Sequence, residues 1–156
     1  VQATLLTGIP PSQHGIVANG WYFRETAEIR FWQQHNGLIA GEKFYEGYTT
    51  AKMFWWFNQN APVQWSATPK PHYGCDGSKV FDVLDRTECD LVKRLGPFPF
   101  FAFWGPAAGL ASSQWIAEAT ALTMRMQRPQ ITMAYLPHLD YDFQRFERQD
   151  PRRVAE

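Results

Sequence analysis

A carboxylate that follows a strand candidate is the first group in this chain that could do chemistry. Asp140 comes a few residues after the apolar run at 131–136, which has the length of a buried strand. In a parallel sheet that position lies at the carboxyl edge, where ligands bind. A divalent cation needs anionic oxygen ligands, so Asp140 is either a metal ligand or a solvated loop aspartate. His138 is a second possible donor if the strand continues that far, and a structural histidine otherwise.

An amide near the start of the chain could stabilise developing negative charge. Asn19 can direct its N–H toward an equatorial oxygen of a transferring phosphoryl group without adding a titrating group. Asn19-Gly20 is also a common turn dipeptide. From the residues alone, both interpretations stay open.

Two aromatic blocks, at 54–57 and 98–104, could form a wall for a nucleobase or an aryl group. Each block runs into a polar or Gly/Pro-rich loop, and π-stacking tolerates any base. Trp56 and Trp104 are therefore candidate substrate-binding residues, with burial in the core as the alternative. Phe54 and Phe101 are expected in the core.

The elements that must position these groups alternate between helix and strand. Gly8, with Pro10 and Pro11 behind it, ends a first predicted helix at 1–7. Further helices are predicted to begin at 41, to run to 95 from a cap formed by Thr87 with Asp90 three residues on, and to run to 128 from a cap at Ser112 or Ser113. Strands are predicted at 28–32, 51–57 and 131–136, the last as a central strand. This alternation predicts an α/β fold with a mostly parallel sheet flanked by helices. Residues 58–77, which contain three prolines, are predicted to form an irregular insertion loop.

Composition limits the class of protein. With 156 residues, 45% of them hydrophobic, the chain is one domain or part of one, with enough apolar side chains for a packed core. The 15 basic residues balance the 15 acidic ones, so no basic face for nucleic-acid binding is expected. No segment is long enough to span a membrane.

An ordered motif near the start resembles a known family. Thr4-Leu5-Leu6-Thr7-Gly8 is followed by Pro11, His14-Gly15-Ile16-Val17 and Asn19. This pattern resembles the type I phosphodiesterase/nucleotide pyrophosphatase branch of the alkaline phosphatase superfamily. Residues 41–45 look like that branch's G-E-P-I-W segment, and 135–140 fall where it has a strand ending in a metal-binding Asp. Sulfatases share part of the motif, but Gln2 stands where their signature has Arg, which disfavours them.

The resemblance implies an alkaline-phosphatase-like domain of which residues 1–156 are a part. It implies hydrolysis of a phosphodiester or pyrophosphate bond in a small phosphoester or nucleotide, with two divalent ions, zinc by analogy. A nucleophilic Thr would lie just upstream of Val1, and the C-terminal metal-binding half would follow this chain. Asp140 would bind a metal, Asn19 would bind the phosphoryl group, and His14 would have a structural role.

One position departs from the family pattern. The branch continues D-x-x-x-H, with the His as a second metal ligand, and Gln144 stands at that place. An amide oxygen binds zinc more weakly than imidazole does, so Gln144 is a doubtful ligand. A degenerate relative that binds a nucleotide without hydrolysing it is therefore an alternative, as is a sulfatase or phosphomonoesterase of the same superfamily. The sequence leaves a cytoplasmic or periplasmic location open for a soluble protein of bacterial type.

Overall fold

A computed structural model describes residues 1–31 and 33–146. Five helices are described: α1 (Gln2–Thr7), α2 (Pro11–His14), α3 (Leu91–Leu95), α4 (Leu110–Gln127) and α5 (His138–Arg145). Six strands are described: β1 (Gly20–Phe23), β2 (Glu28–Phe31), β3 (Thr50–Met53), β4 (Trp65–Tyr73), β5 (Lys79–Asp85) and β6 (Ile131–Ala134).

The main sheet has the order β5-β4-β3-β6. Strand β3 is parallel to both β4 and β6, with Ala51 opposite Trp65 and Thr132, whereas β4 and β5 are antiparallel. Strands β1 and β2 form a separate antiparallel hairpin. The predicted α/β class with a mostly parallel sheet is confirmed. Strand β6 is also confirmed, but it lies at the edge of the described sheet rather than at its centre.

Each face of this sheet packs against helix, because side chains of successive strand residues point to opposite faces. On one face, Met53 and Ala67 pack against Trp115 and Ile116 of α4. On the other face, Met133 belongs to a second buried cluster with Ala3 and Leu6 of α1 and with Tyr45 and Phe57. The molecule therefore has three layers, with α1 and α4 on opposite sides of the sheet.

The start of the chain folds as its sequence predicts. Helix α1 ends at Gly8, which adopts the left-handed conformation with φ of 70°. His14 is buried at 1% exposure, and its Nδ1 accepts the Ile16 N–H at 3.0 Å. Its Nε2 lies 3.0 Å from Thr4 Oγ1. Because Nδ1 accepts a hydrogen bond, Nε2 carries the proton in the neutral ring and donates it to the Thr4 hydroxyl. The structural role predicted for His14 is confirmed.

The irregular insertion predicted at 58–77 is wrong for residues 65–73, which form the nine-residue strand β4. Pro69 and Pro71 are compatible with this strand because β4 extends beyond the end of β3. Ala67 directs its carbonyl to Phe54 N on the β3 side. By alternation, Pro69 and Pro71 face that same side, where β3 no longer runs and no ladder N–H is needed.

Several predicted boundaries also differ. Residues 41–47 form turns rather than a helix, and the strand predicted to 57 ends at Met53, because Phe54 turns to φ of 57°. Helix α4 begins at Leu110, so Ser112 and Ser113 lie in its first turn and are not its caps. Phe101 is 77% exposed, so its predicted burial is wrong, whereas that of Phe54 is confirmed. Trp32, at the end of the strand predicted at 28–32, lies outside the described residues.

Candidate functional site

An aromatic cleft opens where the carboxyl ends of β3 and β6 meet. Residues that follow these two strands supply most of its wall. Its lining residues are Gln34, Phe54, Trp55, Trp56, Thr68, Pro69, Phe103, Tyr135, Pro137 and Tyr141. This is the edge of a parallel sheet at which ligands are expected.

The segment after β3 contains two phenylalanines in an unusual backbone conformation. Phe54 and Phe57 have positive φ values of 57° and 55°, a region that costs about 1–2 kcal/mol for a residue other than Gly. Two glutamines hold the turn: Trp56 N donates to Gln2 Oε1 at 2.9 Å, and Phe57 N donates to Gln34 Oε1 at 2.8 Å. The bond to Gln2 also ties the N-terminal end of α1 to the cleft.

A buried polar network supports the same turn from inside the sheet. The Phe57 carbonyl accepts from Asn36 Nδ2 at 3.0 Å and from Lys52 Nζ at 3.3 Å. Lys52 is fully buried, with its ammonium 5.3 Å from the centre of the Tyr45 ring. Burial, with a smaller contribution from the charge of Lys43, lowers the pKa of Lys52 to about 7. The network offsets part of the strain of the turn.

Tyr135 connects the aromatic wall to the predicted metal ligand. Its hydroxyl lies close to the side chains of Trp56 and Asp140, both of which affect its pKa. Burial, followed by the charge of Asp140, raises the pKa of Tyr135 to about 12, so the phenol keeps its proton at neutral pH. The sequence motifs predict no role for Tyr135, although its position directly after an apolar strand is a signal for a site residue.

Asp140 and Gln144 lie on α5, one helical turn apart. Asp140 is exposed in the first turn of the helix, and Gln144 Nε2 donates to its Oδ2 at 2.9 Å. The structure thus brings Asp140 and Gln144 together and places Asp140 and Trp56 close to the Tyr135 hydroxyl. His138 is not directed toward them: its Nδ1 lies 2.9 Å from Ser113 Oγ, which corresponds to the structural alternative.

Two other predicted residues lie elsewhere. Trp104 packs against Phe81, Phe100 and Phe103, and it is the neighbouring Phe103 that lines the cleft. Asn19 is exposed in the loop before β1 and is not among the cleft's lining residues.

The donor chemistry around Asp140 fits a divalent cation in part. Asp140 supplies a carboxylate, Gln144 an amide oxygen and Tyr135 a hydroxyl, all of them oxygen donors that suit hard cations. Within residues 1–31 and 33–146, no three His, Cys, Asp or Glu side chains converge as a metal-binding group.

Comparison with known proteins gives one match. The family model for type I phosphodiesterase / nucleotide pyrophosphatase matches residues 1–155. No curated protein and no solved structure matches the chain. Among the helices of the described residues, none has the length and apolar character needed to cross a membrane.

Proposed function

This chain belongs to the type I phosphodiesterase/nucleotide pyrophosphatase family, and from that premise we propose that the intact protein hydrolyses a phosphodiester or pyrophosphate bond in the aromatic cleft. The observation that carries the proposal is the Asp140–Tyr135–Trp56 contact at the carboxyl edge of the sheet. It joins a candidate cation ligand to a candidate stacking wall. A phosphoester with a nucleobase or an aryl group needs both.

The side chains of this site have separate roles. Asp140 and Gln144 would hold a divalent cation, zinc by family analogy, which when bound lowers the pKa of a coordinated nucleophile or water. Tyr135 lies close to Asp140 and, with its proton retained, would donate to the carboxylate and orient it. Trp56 offers a face for the base, and the bond from its N–H to Gln2 places the start of α1 beside the cleft.

The family pattern alone supports Asn19 as a proposed donor to the phosphoryl oxygens, because this residue lies in the exposed loop after α2 and does not line the aromatic cleft. Asn19→Ala should lower the rate about 10²–10³-fold, the usual effect of removing one such donor.

A second candidate function is binding of a nucleotide without hydrolysis. The observation that favours it is the hydrogen bond from Gln144 Nε2 to Asp140 Oδ2, which occupies one carboxylate oxygen with an amide proton. A histidine at this place would offer the cation an imidazole nitrogen instead, the better zinc donor.

Zinc titration of the intact protein separates the two functions. Hydrolysis of bis-aryl phosphates and nucleotide esters should be lost in Asp140→Asn and lowered about tenfold in Tyr135→Phe, which removes one hydrogen bond to a charged group.

Gln144→His should bind zinc more tightly without a change in substrate preference. Asp142→Asn is the matched control on the same helix, because Asp142 pairs with Arg145 rather than with the site. Turnover that persists in Asp140→Asn would show that the reaction does not need Asp140. Nucleotide binding by the wild type without turnover at any zinc concentration would favour the second function, nucleotide binding without hydrolysis.

A further inference from the structure

A second, polar pocket lies beside β4 on the sheet face that α1 covers. Ser66, Thr68 and Lys70 alternate along β4 toward this face, and Arg86 follows β5 with its N–H donating to the Ser66 carbonyl at 2.8 Å. Residues 58–60 form the opposite wall, and the cavity has about 160 Å³. Thr68 lines both this pocket and the aromatic cleft, so the two are neighbours.

The charge in this polar pocket has one sign. Lys70 and Arg86 line it, and no acidic side chain does. Asp82 stands opposite Lys70 in the β4–β5 register, but its carboxylate lies 3.6 Å from His72 Nε2. Within the described part of the chain, neither Lys70 nor Arg86 has an ion-pair partner within 4.0 Å. Two unpaired cations in one cavity favour an anionic ligand.

Asn58 indicates that the ligand also carries a proton donor. It is 3% exposed, and its Nδ2 donates to the carbonyls of Lys52 and Ala67 and to Thr68 Oγ1, at 3.0, 3.1 and 2.8 Å. These bonds fix the orientation of the amide. Its Oδ1 is buried and has no donor among the described residues. A buried acceptor without a partner costs about 1–3 kcal/mol. Asn58 lines the polar pocket, so a ligand whose proton donor reaches Oδ1 through a small shift of this wall would relieve that cost.

We propose that the polar pocket is a phosphate-binding site, separate from the Asp140 cluster, that takes a phosphate group carrying a proton donor. The guanidinium of Arg86 and the ammonium of Lys70 bind the phosphate oxygens. A P–OH of the phosphate, or a hydroxyl next to it in a phosphorylated small molecule, donates to Asn58 Oδ1. Inorganic phosphate and a phosphate monoester share this chemistry.

Comparison of phosphate with sulfate separates the need for negative charge from the need for a proton donor. The ions are similar in size and charge, but near neutral pH phosphate retains a proton and sulfate does not. Calorimetric titration of the intact protein at pH 6.5 should show phosphate binding about tenfold more tightly than sulfate, the value of one hydrogen bond to Asn58 Oδ1. A parallel titration with glucose 6-phosphate tells whether the free ion or a monoester binds better. Equal affinities for phosphate and sulfate would contradict the role of Asn58.

Variants locate the binding site. Lys70→Gln and Arg86→Gln should each weaken phosphate binding about 10- to 100-fold, because each removes a charge-assisted contact. Lys93→Gln, at an exposed lysine on α3, is the matched control and should bind as the wild type does. Asp140→Asn should also keep full phosphate affinity. Binding lost in Asp140→Asn but kept in Lys70→Gln and Arg86→Gln would place the phosphate at the aromatic cleft and overturn the proposal, as would the absence of phosphate binding by the wild type.

Discussion

At the scale of single residues, Lys52 is the most unusual side chain of this protein. A fully buried lysine normally has a carboxylate partner. Lys52 has instead the Phe57 carbonyl at 3.3 Å and the face of the Tyr45 ring. These contacts hold the left-handed turn that carries Trp55 and Trp56 into the cleft, so Lys52 acts on the candidate site through backbone geometry.

The lowered pKa of Lys52 predicts how stability depends on pH. It is about 7 in the folded protein and near the ordinary 10.5 when unfolded. Between these values the unfolded chain binds a proton that the folded chain does not, so the contribution of Lys52 to the free energy of unfolding rises with pH. Below pH 7 its buried charge costs most. In Lys52→Met this dependence is absent, so the stability of the wild type relative to the variant should rise by a few kcal/mol across that window.

Urea unfolding of both proteins at pH values from 6 to about 10 measures this difference. Lys93→Met is the control, since an exposed lysine should give a difference from the wild type that is flat with pH. Parallel curves for the wild type and Lys52→Met would mean that Lys52 titrates as an exposed lysine does.

At the scale of elements, the junction between β5 and α3 depends on one carboxylate. Asp85 accepts the N–H of Thr87 and, with its other oxygen, the N–H of Leu91, both at 2.8 Å. Asp90 occupies the N-cap position of α3 but makes no side-chain capping bond. The last residue of a strand therefore caps the following helix.

Asp85→Ala should destabilise the protein by about 1–3 kcal/mol, because it leaves the N–H groups of Thr87 and Leu91 without their acceptor. Asp90→Asn is the matched change. Asn tolerates the left-handed conformation that Asp90 adopts, with φ of 50°, so the effect should stay within about 0.5 kcal/mol. Thermal unfolding of both variants measures this. The reverse order of effects would assign the capping role to Asp90 instead of Asp85.

At the scale of the whole molecule, β6 is an apolar strand at the edge of the described sheet. Ile131 and Tyr135 direct their N–H groups to carbonyls at the β3 side, Thr49 and Met53. By alternation, Thr132 and Ala134 direct theirs away from β3. Continuous apolar strands are typical of the interior of a parallel sheet rather than its edge.

We expect another strand to pair with β6 in the intact protein. The amides of Thr132 and Ala134 should then exchange with solvent as slowly as that of Met133, and hydrogen exchange measured by NMR tests this. In a polypeptide of residues 1–156 alone, Thr132 and Ala134 should exchange at least about tenfold faster than Met133, since one unpaired hydrogen bond is worth about 1 kcal/mol or more. Equal, fast exchange of both amides in the intact protein would show that β6 is a true edge.

The parts of this fold that depend on neighbouring residues were predictable from the sequence. Gly8 followed by two prolines ends α1 whatever the rest of the chain does, and a carboxylate and an amide four residues apart meet on any helix, as Asp140 and Gln144 do. The apolar run before Tyr135 is a strand for the same local reason. The α/β class and the general position of the site follow from such signals.

The composition of the cleft was decided by tertiary structure. Trp56 rather than Trp104 lines it because Phe54 and Phe57 take a left-handed turn, which no local preference favours and which buried contacts from Lys52 and Asn36 impose. β4 is a strand despite its prolines because β3 stops short of them. The contact between Tyr135 and Trp56 and the pairing of Asn58 with Thr68 join residues from different segments. Such contacts depend on how the layers pack, and a pattern read along the chain has no information on which distant groups will meet.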